Sequence, residues 1–266
     1  MSAAGLVCTL HLGRSGSTVL GDLLNQNPYI MWDGEIYEPG RRLMSEGADP
    51  VEVMRQRLAQ VKKGFYGFEL KPFHCRLMGR PAAEVVGALR QAGVTHWIVL
   101  KRENYLRKIA STAVARVTGQ WHRQGERALQ GGTARRVAVR IDPEAHFIDA
   151  ETRPITYFFA GYDRFFADVE SWLNDLPVLR LSYEQHLQSD PLAGYRRVCR
   201  FLNIAPMPVA VRYAPTTPYP LAEVIENLDE VVRALEGTPW AAMAAEQPAV
   251  QESTSPTVAG RSSGSR

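Results

Sequence analysis

Residues 6–24 read LVCTLHLGRSGSTVLGDLL. Leu6 to Leu10 form a short apolar run bounded by a glycine-bearing loop, the pattern of a buried parallel strand. Gly13, Arg14, Ser15, Gly16 and Ser17 make up the loop. From Thr18 the apolar residues Val19, Leu20, Leu23 and Leu24 recur at helical spacing. A loop of small residues that opens a helix aims several backbone N–H groups and a positive dipole end at one spot, a site for phosphate or sulfate. Gly16 lets the backbone approach the anion, and Ser15, Ser17 and Thr18 add hydroxyl donors. The loop differs from that of nucleotide hydrolases, whose GxxxxGK[ST] pattern sets a Lys beside the Ser or Thr that holds magnesium. Here the cation, Arg14, comes early and the Gly-Lys step is missing.

The 266 residues, 45% hydrophobic, suit one α/β domain over residues 1–246. Residues 247–266, rich in Ser, Gly and Pro, read as a disordered tail. A net charge of +3 leaves basic surface only local, so no nucleic-acid partner is expected. Cys8, Cys75 and Cys199 form no CxxC pair and no metal spacing, and read as reduced thiols. No charged-then-apolar leader precedes Leu6, and no run approaches the roughly 18 apolar residues of a membrane span. The expectation is a soluble, cytoplasmic protein.

Further along, Tyr29–Trp32 is a short β-like run that leads into Asp33, Gly34 and Glu35. A carboxylate there, just past a strand, is well placed to enter the cleft of an open α/β sheet. Residues 41–63 read as a helix with a solvated face. Phe65–Leu70 reads as a strand, followed by a turn with Lys71, His74 and Arg76, where His74 is a candidate for lining an anionic site. A helix is expected over 81–92. His96–Leu100 is another buried strand, ending at Arg102; Asn104 caps a helix that carries Arg107 and Ser111 on one face, and Gly119 ends it. Arg102 and Ser111 make a second anion pocket, whereas Lys108 reads as a surface charge. Residues 121–140 read as a loop, Pro154–Leu173 as a helix with an aromatic core stripe, and Val178–Leu181 as a strand. Helices are expected from Asp190-Pro191 to Leu202 and from Glu223 to Leu235, with a loop over 205–220 between them.

GRSGST, the Gly34-Glu35 step, VLKRENYLRKIAS with TGQW after it, LRLSYEQHLQSDP with FLNI, and IENLDEVVRALEGT follow one another between residues 6 and 237. Together they resemble PAPS-dependent sulfotransferases, PAPS being 3′-phosphoadenosine 5′-phosphosulfate. The likeness is closer to the carbohydrate and bacterial nodulation-factor enzymes than to the cytosolic aryl group. It implies a sulfotransferase fold, a P-loop-like parallel sheet flanked by helices. It implies that Gly13–Thr18 hold the 5′-phosphosulfate with Arg14 beside the bridging oxygen, and that Arg102 and Ser111 hold the 3′-phosphate. Glu35 matches a general base of some bacterial carbohydrate members and His74 is the alternate, while Tyr183 lies where members contact the nucleotide. The C-terminal KGxxGxWK loop of the aryl enzymes is missing, which leaves Thr216, Thr217 or Arg212 to cover the cofactor.

The expected reaction is in-line sulfuryl transfer from PAPS, without a metal, to a hydroxyl of a carbohydrate or glycosylated small molecule, with residues 36–80 and 119–165 as substrate walls. The alternative is a P-loop nucleoside or sugar kinase using ATP and magnesium. Nothing in the sequence sets the oligomeric state.

Overall fold

The computed structural model describes residues 4–40, 47–61, 64–125 and 136–245. Five parallel strands form the central sheet: β1 (Gly5–His11), β2 (Ile30–Trp32), β3 (Phe65–Leu70), β4 (Val94–Lys101) and a fifth, Val178–Ser182. Their order is β2-β3-β1-β4-fifth, so the chain winds to one side of β1 and then to the other. The fold is α/β, a parallel sheet flanked by helices, as the buried runs with helical patterns between them imply.

Alternation along β1 sorts the two faces. Leu6, Cys8 and Leu10 join the larger core, with Tyr66, Phe68, Trp97 and Val99 of the neighbouring strands. That core includes α2 (Pro50–Leu58), α4 (Ala82–Gln91), α5 (Tyr105–Thr118) and α6 (Ile155–Trp172). Val7 points the other way, into a smaller core with α1 (Ser17–Asn25) and the helix Pro191–Phe201. Trp32 belongs to this second face. Its ring fills the space over two glycines: a Cβ on Gly67 would lie 2.2 Å from it and one on Gly21 2.6 Å from its Nε1. The three cysteines are buried and unpaired, and among the described residues no helix is long and apolar enough to cross a membrane.

Several boundaries differ from the sequence reading for identifiable reasons. The expected helix over 41–63 is Pro50–Leu58, set by Asp49, which accepts from the N–H groups of Val51 and Glu52; residues 41–46 and 62–63 lie outside the described residues. The turn at Lys71–Arg76 is instead a helix, α3 (Pro72–Leu77), whose entry is fixed by the Lys71 N–H donating to His74 Nδ1 at 3.2 Å. A hairpin, β6 (His146–Ile148) against β7 (Glu151–Arg153), occupies a stretch for which no element is expected from sequence. The helix expected over 223–235 is broken into Leu221–Val224 and Leu228–Leu235. The cause is Asn227, whose amide binds the backbone of Ile141 in both directions, at 3.0 and 2.8 Å. The expected tail, 247–266, and residues 126–135 of the 121–140 loop lie outside the described residues.

Candidate active site

Open α/β sheets bind ligands beyond the carboxyl ends of their strands, where the strand order reverses. Here that place is the end of β1. The loop after it turns through left-handed backbone at Gly13, Arg14 and Gly16, with φ of 78°, 54° and 83°. Gly16 is the N-cap of α1. A Cβ there would lie 2.9 Å from the Tyr183 ring and 3.0 Å from Leu187, so only glycine fits.

A buried polar chain supports the loop from below. His11 Nδ1 accepts from the Gly13 N–H at 3.0 Å, with Ser15 Oγ at 3.4 Å. Its Nε2 lies 3.0 Å from Glu69 Oε2, and Glu69 also accepts from Trp32 Nε1 at 3.1 Å. Burial alone would raise the Glu69 carboxyl, but His11, Trp32 and Ser17 outweigh it and hold it at about 2. Sequence reading missed His11 and Glu69, since each looks like an ordinary strand residue.

Arg14 lies at the junction of three segments. Its guanidinium donates twice to Ser111 Oγ, at 3.0 and 2.8 Å, to the Trp121 carbonyl at 2.7 Å, and to Thr216 Oγ1. Arg102 Nη1 donates to the Arg14 carbonyl at 2.9 Å, and the Arg102 guanidinium lies 4.7 Å from the centre of the Tyr183 ring. The glycine loop, Arg102 and Ser111, read from separate stretches, therefore meet in one place. Burial and the nearby Arg102 lower Arg14 to about 10, so it keeps its charge at neutral pH.

Above the loop sits a roof. β5 (Arg123–Gln124) pairs with β9 (Tyr213–Ala214), β8 being the sheet strand Val178–Ser182. This pairing brings residues 119–125 and 211–220 together. His122 Nδ1 lies 3.3 Å from Thr18 Oγ1, and Arg107 holds the Tyr219 carbonyl at 2.6 Å. Of the three residues suggested as a cover, Thr216 touches Arg14 and the Thr217 carbonyl accepts from Arg107, whereas Arg212 lies 3.7 Å from Asp22.

Glu35 arrives from β2. The β2–β3 pairing continues past Trp32, with Asp33 N donating to the Gly67 carbonyl and Glu69 N to the Gly34 carbonyl, both at 2.8 Å. Lys71, just past β3, donates to Glu35 Oε2 at 2.6 Å and to Glu38 Oε2 at 3.1 Å. Its stem lies against the loop, where a Cβ on Gly13 would be 3.8 Å from Lys71 Cδ. Burial, then a hydrogen bond shared with Glu38, raise the Glu35 carboxyl above its ordinary range, against the pull of Lys71. His74 is fully buried and both its nitrogens are engaged: Nδ1 accepts from Lys71 N, and Nε2 faces Glu38 Oε2 at 3.1 Å. Burial lowers it to about 4, with Glu38 opposing. The hydrogen bond from His74 in turn holds Glu38 well below the usual carboxylate range.

Two trios, His11 with Glu35 and Glu69 and Glu35 with Glu38 and His74, bring ligand atoms within 4.8 Å of one another. The Lys71 ammonium already bridges Glu35 and Glu38, supplying a built-in cation there. Beside Lys71 opens a cavity of about 260 Å³, walled by Leu12, α3, the β6–β7 hairpin and α6. Lys108, read from sequence as a surface charge, is instead 5% exposed and lines this cavity, because α5 is covered on nearly all sides. Tyr157, read as part of the core stripe, is exposed and lines it too.

No family model matches the chain, and no curated protein matches it. Among solved structures, the chain is similar to the crystal structure of a sulfotransferase from Alicyclobacillus acidocaldarius, at 12% identity and a TM-score of 0.48, over 91% of this chain and 96% of that one.

Proposed function

We propose that the chain is a PAPS-dependent sulfotransferase acting on a hydroxyl of a carbohydrate or glycosylated small molecule. The observation that carries this reading is the meeting of two anion-binding elements around Arg14: the glycine loop at the start of α1, and Arg102 with Ser111. A donor with phosphate groups at both the 5′ and 3′ positions needs two such elements in one site.

Bound PAPS supplies the sulfuryl group. The acceptor oxygen forms its bond to sulfur as the sulfur–oxygen bond to the 5′-phosphate breaks, and the electron pair stays on the phosphate. Glu35 takes the acceptor's proton, for which a raised carboxyl is better suited than an ordinary one. His74 is the weaker candidate, since its Nδ1 is committed to the Lys71 N–H. Lys71 orients Glu35, and its charge lies at the loop end of the cavity. Arg14 and the loop amides stabilise the charge that grows on the leaving phosphate, each such contact contributing roughly 2–4 kcal/mol to the barrier.

Thermal melting with 3′,5′-ADP tests the donor assignment, with ATP plus magnesium as control. Saturation at a hundredfold excess over Kd adds about 2.7 kcal/mol, which for a chain of this size is a rise of roughly 5–10 °C. The rise is expected with 3′,5′-ADP and lost in Arg102→Ala. A rise with ATP and magnesium alone would replace this reading with a kinase.

A further inference from the structure

The cavity beside Lys71 contains a charge for which the described residues hold no directly paired carboxylate. Lys108 is 95% buried by its 5% exposure. Its ammonium reaches the Tyr162 hydroxyl at 3.2 Å and lies 4.7 Å from the centre of that ring. Among the described residues no carboxylate pairs with it. Of the two acids in the cavity wall, Asp149 is committed to Arg76 at 2.9 Å and Glu151 lies exposed on β7. Arg164 adds a further cation at the exposed rim. Buried charges in proteins are ordinarily paired, because an unpaired one loses its hydration without compensation. A phenol and a ring face soften that loss but carry no net negative charge. Burial lowers Lys108 to about 8, with Asp149 pulling it back up, so the group is largely charged at neutral pH.

The remaining wall is aromatic, with Phe73, Tyr157, Phe158 and Phe165 beside Tyr162. At about 260 Å³ the cavity is smaller than the usual site for a drug-sized ligand, so it suits a single ring. It also reaches Lys71, which holds Glu35.

We propose that this cavity binds an acceptor carrying an anionic group, a carboxylate or a sulfate or phosphate ester, with that group on Lys108, its ring against the aromatic wall and its hydroxyl toward Glu35. The destination of the hydroxyl rests on the sulfotransferase reading; the partner of the anion does not.

The test is calorimetric titration of the whole chain with 3′,5′-ADP present, using two matched pairs: glucuronate with glucose, and 4-hydroxybenzoate with 4-hydroxybenzamide. In at least one pair the anionic member is expected to bind tenfold or more tightly. Lys108→Met should bring that pair within about twofold while leaving 3′,5′-ADP affinity unchanged. Lys108→Gln serves as the second variant should the first fail to fold. The proposal is overturned if neither anionic member binds, if both pairs bind alike, or if a folded Lys108 variant keeps the preference. A preference that depends on Lys108 in a chain that does not bind 3′,5′-ADP would uphold the inference and reject the donor assignment.

Discussion

Glu35 and Lys71 are 36 positions apart in sequence and 2.6 Å apart in space. With Glu35 as the proposed base, their pairing sets a kinetic signature. A base works only when deprotonated, so activity is lost as pH falls through its folded-state pKa. Burial and Glu38 place that value above the ordinary 4.5, so the acid limb of kcat/KM is expected above pH 4.5. Lys71 pulls the value down, so Lys71→Met should move the limb to still higher pH. Glu35→Gln should lower kcat roughly 10²–10⁴-fold with 3′,5′-ADP affinity intact. A limb that Lys71→Met leaves in place would remove Glu35 from the role of base. At this scale the sequence was informative where chemistry is local: the spacing of Gly13, Arg14 and Gly16 implies the glycine turn from strand to helix that the structure shows. It was silent on which side chains the strand order brings together. Nothing near Lys108 in sequence announces that α6 and the hairpin will cover it.

The element that sequence reading missed most clearly is α3. The six residues Pro72–Leu77 carry too little periodicity to register as a helix, and the start depends on the His74 side chain capping Lys71 N. That cap titrates. The folded state holds His74 at about 4 against an ordinary 6.5, so folding favours the neutral ring. The resulting stability is present in full above pH 6.5 and is lost as pH falls from 6.5 toward 4, on the order of 3 kcal/mol over the whole window. His74→Gln keeps an acceptor for the Lys71 N–H and cannot titrate. Melting temperatures measured across pH 4–6.5 should therefore fall steeply in the parent chain and less in the variant. Equal slopes would show that another group governs acid stability. Asn227 makes a similar point: the pattern over 223–235 is helical, and the interruption comes from a clamp on Ile141, a residue distant in sequence.

For the whole molecule, the sheet was legible because buried parallel strands read as continuous apolar runs between helical segments. The strand order was not, since it depends on which runs pair. That order decides everything at the site, because it sets β3 beside both β1 and β2 and so brings Lys71 to Glu35 and to Gly13. It also gives a global test. Cys8 and Cys75 lie in the larger core and Cys199 in the smaller one, on opposite faces of the sheet. If the two faces open together, all three thiols should react with an alkylating reagent at one common rate that follows global unfolding. Faster labelling of Cys199 would show that the smaller face opens by itself.

The floor and the roof of the glycine loop are built to last for different times. The floor is wired through His11, Glu69 and Trp32 into the packed sheet, so loosening it means loosening the fold. Among the described residues the roof is joined by a two-residue strand pair and by side-chain bonds from Arg14, Arg107 and Arg123. Release of a bound ligand is therefore expected to follow the roof, with its own clock. Tyr213→Gly should speed release of bound 3′,5′-ADP in a stopped-flow experiment with little change in melting temperature. His11→Ala should do the reverse, lowering the melting temperature first.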